Sequence, residues 1–113
     1  RKAKIEMLES DFINTITQIN DFIGINAFKN INVENSYLNR FHPTIFDSVS
    51  IATNYAIKRE IDISSIQNLA QKHIDLLNNP EFKEYSSNRT TNLENINGRI
   101  NLACQILFGI NYE

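Results

Sequence analysis

Little in this chain of 113 residues can form a covalent or metal cross-link. It has one cysteine, Cys104, so an internal disulfide is excluded. Cys104 lies in an apolar helical stretch, where a thiol reads as a buried, inert core group. Two histidines, His42 and His73, stand apart with no H-x-x-x-H, E-x-x-H or C-x-x-C spacing. Zinc and di-iron centres need such clusters, so no metal and no cofactor is assigned. His73 falls on an apolar stripe and reads as a hydrogen-bonded core histidine, His42 as a capping or loop residue. Three scattered glycines make no phosphate-cradling loop. No local signature sets Ser or Cys against His and a carboxylate, so the stretch is not expected to be an enzyme.

Long apolar runs are missing too. Asn, Asp and Gln interrupt every one well before about 18 residues, and nothing resembles a signal peptide. A cytoplasmic protein with no membrane span is the expectation. Net charge is −2 and the pI about 5.7, so no global positive field draws nucleic acid. What is present is ordinary for one globular domain: 42% hydrophobic and 21% charged residues. The chain starts at Arg1 without Met, and is read as a single helical domain over 1–113, a fragment of a larger protein. Asn (17) and Ile (18) are abundant, the bias expected of an AT-rich bacterial genome.

Apolar residues at Ile5, Leu8, Phe12, Ile16, Ile19 and Ile23 predict a helix over 2–23, with Gly24 as its left-handed cap. Residues 25–41 lack a sustained period and read as an ordered connection pinned by Phe28, Tyr37, Leu38 and Phe41. Pro43 opens a second helix over 43–58, with Thr44 and Asp47 as a capping pair and Phe46, Val49, Ala52, Ala56 and Ile57 facing inward. A third helix is predicted over 64–78, with Ile66, Leu69, Ala70, His73, Ile74 and Leu77 on one stripe. Asn79 caps a short fourth helix beginning at Pro80. Thr91 and Glu94 fit a T-x-x-E capping box for a final helix lined by Ile96, Ile100, Ala103 and Leu107 and ended by Gly109. Gly98 inside it points to the close approach of another helix. The expectation is an all-α bundle of four long helices plus a short one. Its shared core is Ile16, Ile19, Phe46, Val49, Leu69, Ile74, Leu77, Ile100, Ala103 and Leu107.

The basic residues carry the one candidate for ligand binding. Arg40, Lys83, Arg89 and Arg99 lie within or beside predicted helix starts. With Thr90 they form a candidate nucleic-acid patch, because a helix N-terminus favours phosphate. Against this, Glu94 repels an anion and Thr91 is already a cap. Arg99 borders the inner face, so a structural ion pair with Asp47 or Glu81 is the preferred role.

The order of "FIGINAFKN", "NRFHPTIFDSVSIA" and "LLNNPEFKEYSSNRTTNLENINGRINLA" resembles the C-terminal helical region of the family of domain of unknown function 262. This is the ParB-like group that includes GmrSD-type modification-dependent restriction proteins. The resemblance covers about residues 12 to 107 and is carried by "PEFKEY", the Thr90-Thr91 pair and "RINLA". It implies a parent protein with a D-G-x-Q-R motif, linked to nucleotide hydrolysis or nuclease function, and a context of phage defence. No Asp here precedes Gly, so those catalytic residues have no counterparts in this chain. The implied role is a non-catalytic scaffold or interaction domain whose partner is the rest of the parent chain or another protein. The alternative is a nucleic-acid-contacting module with DNA as its partner.

Overall fold

The computed structural model describes residues 2–87 and 91–112, with side chains from residue 10 onward. Helix α1 spans Lys2–Phe22. Gly24 ends it at φ +104°, a conformation that costs glycine little, and its N–H returns to the Ile19 carbonyl. Helix α2 spans Pro43–Lys58, with proline in the first turn where no N–H is needed. Helix α3 is shorter than expected, Leu69–Asn78. Before it, Ile63–Ser65 forms a 3₁₀ turn held by the Asp62 carboxylate, which accepts from the Ser64 N–H and hydroxyl. Such local side-chain bonds compete with helix propagation, and Asn68 at φ +57° then breaks the path. Helix α4 spans Pro80–Ser87, and the Asn79 side chain accepts from the Phe82 N–H at 3.0 Å, as the sequence predicts. Helix α5 spans Leu93–Ala103, widens into a π turn over Cys104–Phe108 and stops at Gly109.

The stretch expected to be a connection contains a hairpin. Strand β1 (Lys29–Ile31) pairs antiparallel with β2 (Tyr37–Phe41), Lys29 opposite Phe41 and Ile31 opposite Tyr37. One residue of β1 thus faces three of β2, and this irregularity erases the period-two pattern that marks a strand. Asn32 builds the turn: its side chain accepts from the N–H groups of Glu34 and Ser36, and Asn35 takes φ +62°. The fold is therefore mostly helical with a two-stranded sheet, not all-α. Helix α1 has 21 residues and α2 16, but α3 has 10, α4 8 and the α-helical part of α5 11, which corrects the bundle of four long helices.

Helix α2 lies at the centre. Its Ile45, Val49, Ala52 and Ala56 are buried against α1 on one side and α5 on the other. Of the expected core, Ile19, Val49, Leu69, Leu77, Ile100, Ala103 and Leu107 are buried, while Ile16, Phe46 and Ile74 are half-buried. Ala70 is exposed and Leu76 takes the inner position, so the stripe of α3 is Leu69, His73, Leu76 and Leu77. The absent side chain of Gly98 admits the Tyr85 ring: a Cβ there would lie 2.6 Å from it. This is the close approach of another helix that the glycine announced.

Two capping assignments change. The N-cap of α2 is His42, and the Thr44 hydroxyl, inside the helix, bonds His42 Nδ1 at 2.9 Å and the Ser86 carbonyl at 3.3 Å. The N-cap of α5 is Asn92, not Thr91; its side chain accepts from the Glu94 and Asn95 N–H groups. Glu94 thus falls at the second helical position rather than the third, so the T-x-x-E box does not form with Thr91 as cap, and both Thr91 and Glu94 are exposed. Replacing Asn92 by Ala is expected to cost about 1 kcal/mol in denaturant unfolding. Thr91→Ala is expected to stay within roughly 0.5 kcal/mol of wild type. The opposite ranking of the two midpoints would restore Thr91 as the cap.

Candidate interaction face

His73 fastens the hairpin to the helical body. Its ring is fully buried on α3, with Nε2 at 2.7 Å from the Ala27 carbonyl and Nδ1 at 2.8 Å from the Tyr37 hydroxyl. A carbonyl only accepts, so Nε2 carries the proton and Nδ1 accepts from Tyr37. Burial lowers the His73 pKa to about 4, against a smaller opposing effect of the Ala27 hydrogen bond, so the ring is neutral at pH 7. Further ties are the Asn78 amide to Asn35 at 2.9 Å and the His42 N–H to the Phe28 carbonyl at 2.8 Å. Burial, and then the nearby Arg40 charge, also hold the His42 imidazole below its ordinary pKa.

Anchored this way, the hairpin completes a cluster of four phenylalanines. Phe46 of α2 lies 4.9 Å from Phe28, 5.5 Å from Phe41 and 6.1 Å from Phe12 of α1, centre to centre. The Phe28 pairs with Phe46 and Phe41, and the Phe12–Phe46 pair, meet edge to face, an arrangement that suits the ring quadrupoles. The cluster is not sealed. Phe41 is 55% exposed and Phe12 49%. A groove of about 300 Å³ opens beside it on α1, lined by Ile16, Ile19, Asn20, Gly24, Ile25 and Phe28. A second, of about 250 Å³, lies on the hairpin between Leu38, Arg40, Phe41 and His42. Phe28 belongs to the first groove and Phe41 to the second, so the two are neighbours across that ring pair.

Elsewhere the chemistry is sparse. A cleft of about 490 Å³ is lined by Asn97, Gly98, Asn101 and Tyr112, with the Asn101 side chain already accepting from the Tyr112 N–H. Burial raises the Cys104 thiol to about 12, which keeps it protonated and unreactive. Among the described residues, no three His, Cys, Asp or Glu side chains gather as metal ligands, and no helix is long and apolar enough to cross a membrane.

The residues expected to meet nucleic acid do not form one surface as described. Arg89 and Thr90 lie outside the described residues. Arg40 is exposed on β2 and Lys83 is exposed on α4. Arg99 is only 3% exposed, and its Nη1 donates to the Tyr85 carbonyl at 3.4 Å. Burial lowers its pKa while the Asp47 carboxylate of α2 opposes that shift. Arg99 is thus a structural cation joining α5 to α4 within the field of Asp47, and its burial removes it from any phosphate-binding surface. The phenylalanine face was not legible in the sequence, because Phe12, Phe28, Phe41 and Phe46 share no local period and each reads alone as a core residue.

No family model matches the chain, and no curated protein or solved structure matches it either.

Two outcomes test these assignments. The folded-state pKa of His73, about 4, lies below its ordinary 6.5, so the unfolded chain takes up the proton first. The stability from this site is complete above pH 6.5 and is lost as pH falls towards 4, on the order of 3 kcal/mol in all. His73→Gln, which gains no proton, is expected to lack that component when midpoints are compared across this range. Arg99→Ala is expected to lower stability by roughly 2 kcal/mol through its buried stem and lost hydrogen bond. A midpoint unchanged by Arg99→Ala would argue against the structural role.

Proposed function

We propose that this chain is a non-catalytic helical interaction domain, the supporting part of a bacterial restriction-like, phage-defence protein as the sequence resemblance implies. The observation that carries the reading is the phenylalanine cluster left half-open between α1, α2 and the hairpin. Fully burying one such side chain contributes about 1.5–3 kcal/mol, and part of that is unrealised while Phe12 and Phe41 remain in contact with water. An exposed, contiguous apolar patch is a mark of an interaction site, and aromatic residues are enriched in protein–protein interfaces. The nucleic-acid alternative retains exposed Arg40 and Lys83, on separate elements, and loses Arg99 to the interior.

Phe41 is the residue to change, because it is exposed enough to be replaced without opening the core. In the full-length parent protein, Phe41→Asp is expected to reduce the size of the assembled species on gel filtration and to leave the amount of folded protein unaltered. The 113-residue chain is expected to show no steeply salt-dependent DNA binding. An unaltered assembly together with DNA binding that weakens sharply as salt rises would replace this reading with the nucleic-acid one.

A further inference from the structure

The groove on the hairpin presents hydrogen-bond donors that the described fold leaves unused. It is lined by Asn30, Leu38, Arg40, Phe41, His42 and Pro43. Leu38 and Arg40, two positions apart, share one face of β2, and His42 follows in the same phase. Arg40 is exposed, and among the described residues its guanidinium enters no ion pair or hydrogen bond. The Asn30 side-chain oxygen accepts from the Ile31 N–H at 2.9 Å, which leaves the amide nitrogen to donate elsewhere. His42 differs, because its Nδ1 is engaged by the Thr44 hydroxyl and its lowered pKa leaves the ring neutral at pH 7. No carboxylate is part of the lining. Lys29, half-buried opposite Phe41, and Asp47, exposed one helical turn beyond Pro43, stand outside it. The lining thus holds one permanent positive charge, an unused amide donor, and apolar walls from Leu38, Phe41 and Pro43.

The complement of that lining is a singly charged acceptor carried beside an apolar group. A carboxylate fits, since a guanidinium can hold one through two parallel N–H···O bonds. A phosphate dianion or a nucleic-acid strand calls for more than one cation, and Asp47 opposes further negative charge. The volume, about 250 Å³, falls below the roughly 300–1,000 Å³ of small-molecule sites and suits one or two side chains. We propose that this groove receives an acidic peptide segment of the partner. Its Asp or Glu carboxylate lies on Arg40 and Asn30, and a neighbouring apolar side chain lies against Leu38 and Phe41. The proposal rests on reading the phenylalanine face as an interaction surface, and it names the chemistry that one part of that face selects.

The 113-residue chain, labelled with ¹⁵N, is titrated with acetyl-Leu-Glu-Leu-amide, with the same peptide carrying Gln for Glu, and with inorganic phosphate. The Glu peptide is expected to shift the amide signals of Asn30 and of Leu38 to His42 saturably. Its affinity is expected to exceed that of the Gln peptide by about tenfold, the worth of a hydrogen bond to a charged group. Arg40→Gln, at an exposed position, is expected to keep the wild-type circular dichroism spectrum and to erase the difference between the peptides. Arg40→Lys, which keeps the charge without the fork, is expected to retain part of it. Phosphate is expected to bind more weakly than the Glu peptide. No saturable shift at the groove, equal affinity for the two peptides, or a preference that survives Arg40→Gln would each overturn the proposal. Tighter binding of phosphate would overturn it in favour of a phosphate site. If Phe41→Asp breaks the parent assembly while Arg40→Gln leaves it intact, the carboxylate proposal fails and the interaction reading stands.

Discussion

The fold depends on one buried imidazole that is satisfied at both nitrogens. His73 reaches from α3 to Ala27 before the hairpin and to Tyr37 at the start of its second strand, so one side chain closes the base of an element with little core of its own. A two-stranded hairpin is marginal in water, and this one is short and irregular. Two hydrogen bonds inside a desolvated pocket hold it, and the same desolvation keeps the ring neutral. The neutral form is the one that can donate at Nε2 and accept at Nδ1 together. Protonation would set two donors against a hydroxyl able to turn and a carbonyl able to accept, with an uncompensated charge in the interior.

Two different seams follow from that arrangement. Between α2 and α5 the contact sets buried Val49, Ala52 and Ala56 of one helix and Ile100 and Ala103 of the other beside the attraction of Asp47 for Arg99. Between α1 and α2 it is mixed: Thr15 bonds Asn54 at 3.4 Å and Lys58 pairs with Asp11, with Ile19 supplying a buried apolar contact. Small side chains on α2 allow both neighbours to approach. Phe12, Phe28, Phe41 and Phe46 meet where α1, α2 and the hairpin converge without closing over them, whereas Phe82 and Phe108 are buried in the body.

Charge has a similar division of labour. Arg99 is buried and feels the exposed Asp47 carboxylate, whereas Arg40 is exposed and lines the groove beside Phe41. In a chain of net charge −2, individual positions therefore carry more meaning than the total. A rim charge contributes mainly to orientation and partner choice, while affinity comes from rings that leave water.

The sequence by itself determined the helices whose signals are local. Pro43 opened α2, Asn79 capped α4, Gly24 and Gly109 closed α1 and the terminal turn, and Gly98 marked a helix contact that Tyr85 fills. It also placed His73 in the core and Cys104 among buried groups. Tertiary structure decided what depended on partners distant in the chain. The hairpin formed where no period was visible, because its stability comes from His73, more than 30 residues away, rather than from alternation along the strands. The cap of α5 fell on Asn92 although T-x-x-E framed Thr91: the Asn92 side chain is the one that accepts from the free N–H groups of the first turn, those of Glu94 and Asn95. Phe12 and Phe41 could not be told from core residues, because side-chain type reports hydrophobicity, whereas exposure depends on which neighbours the fold brings over them.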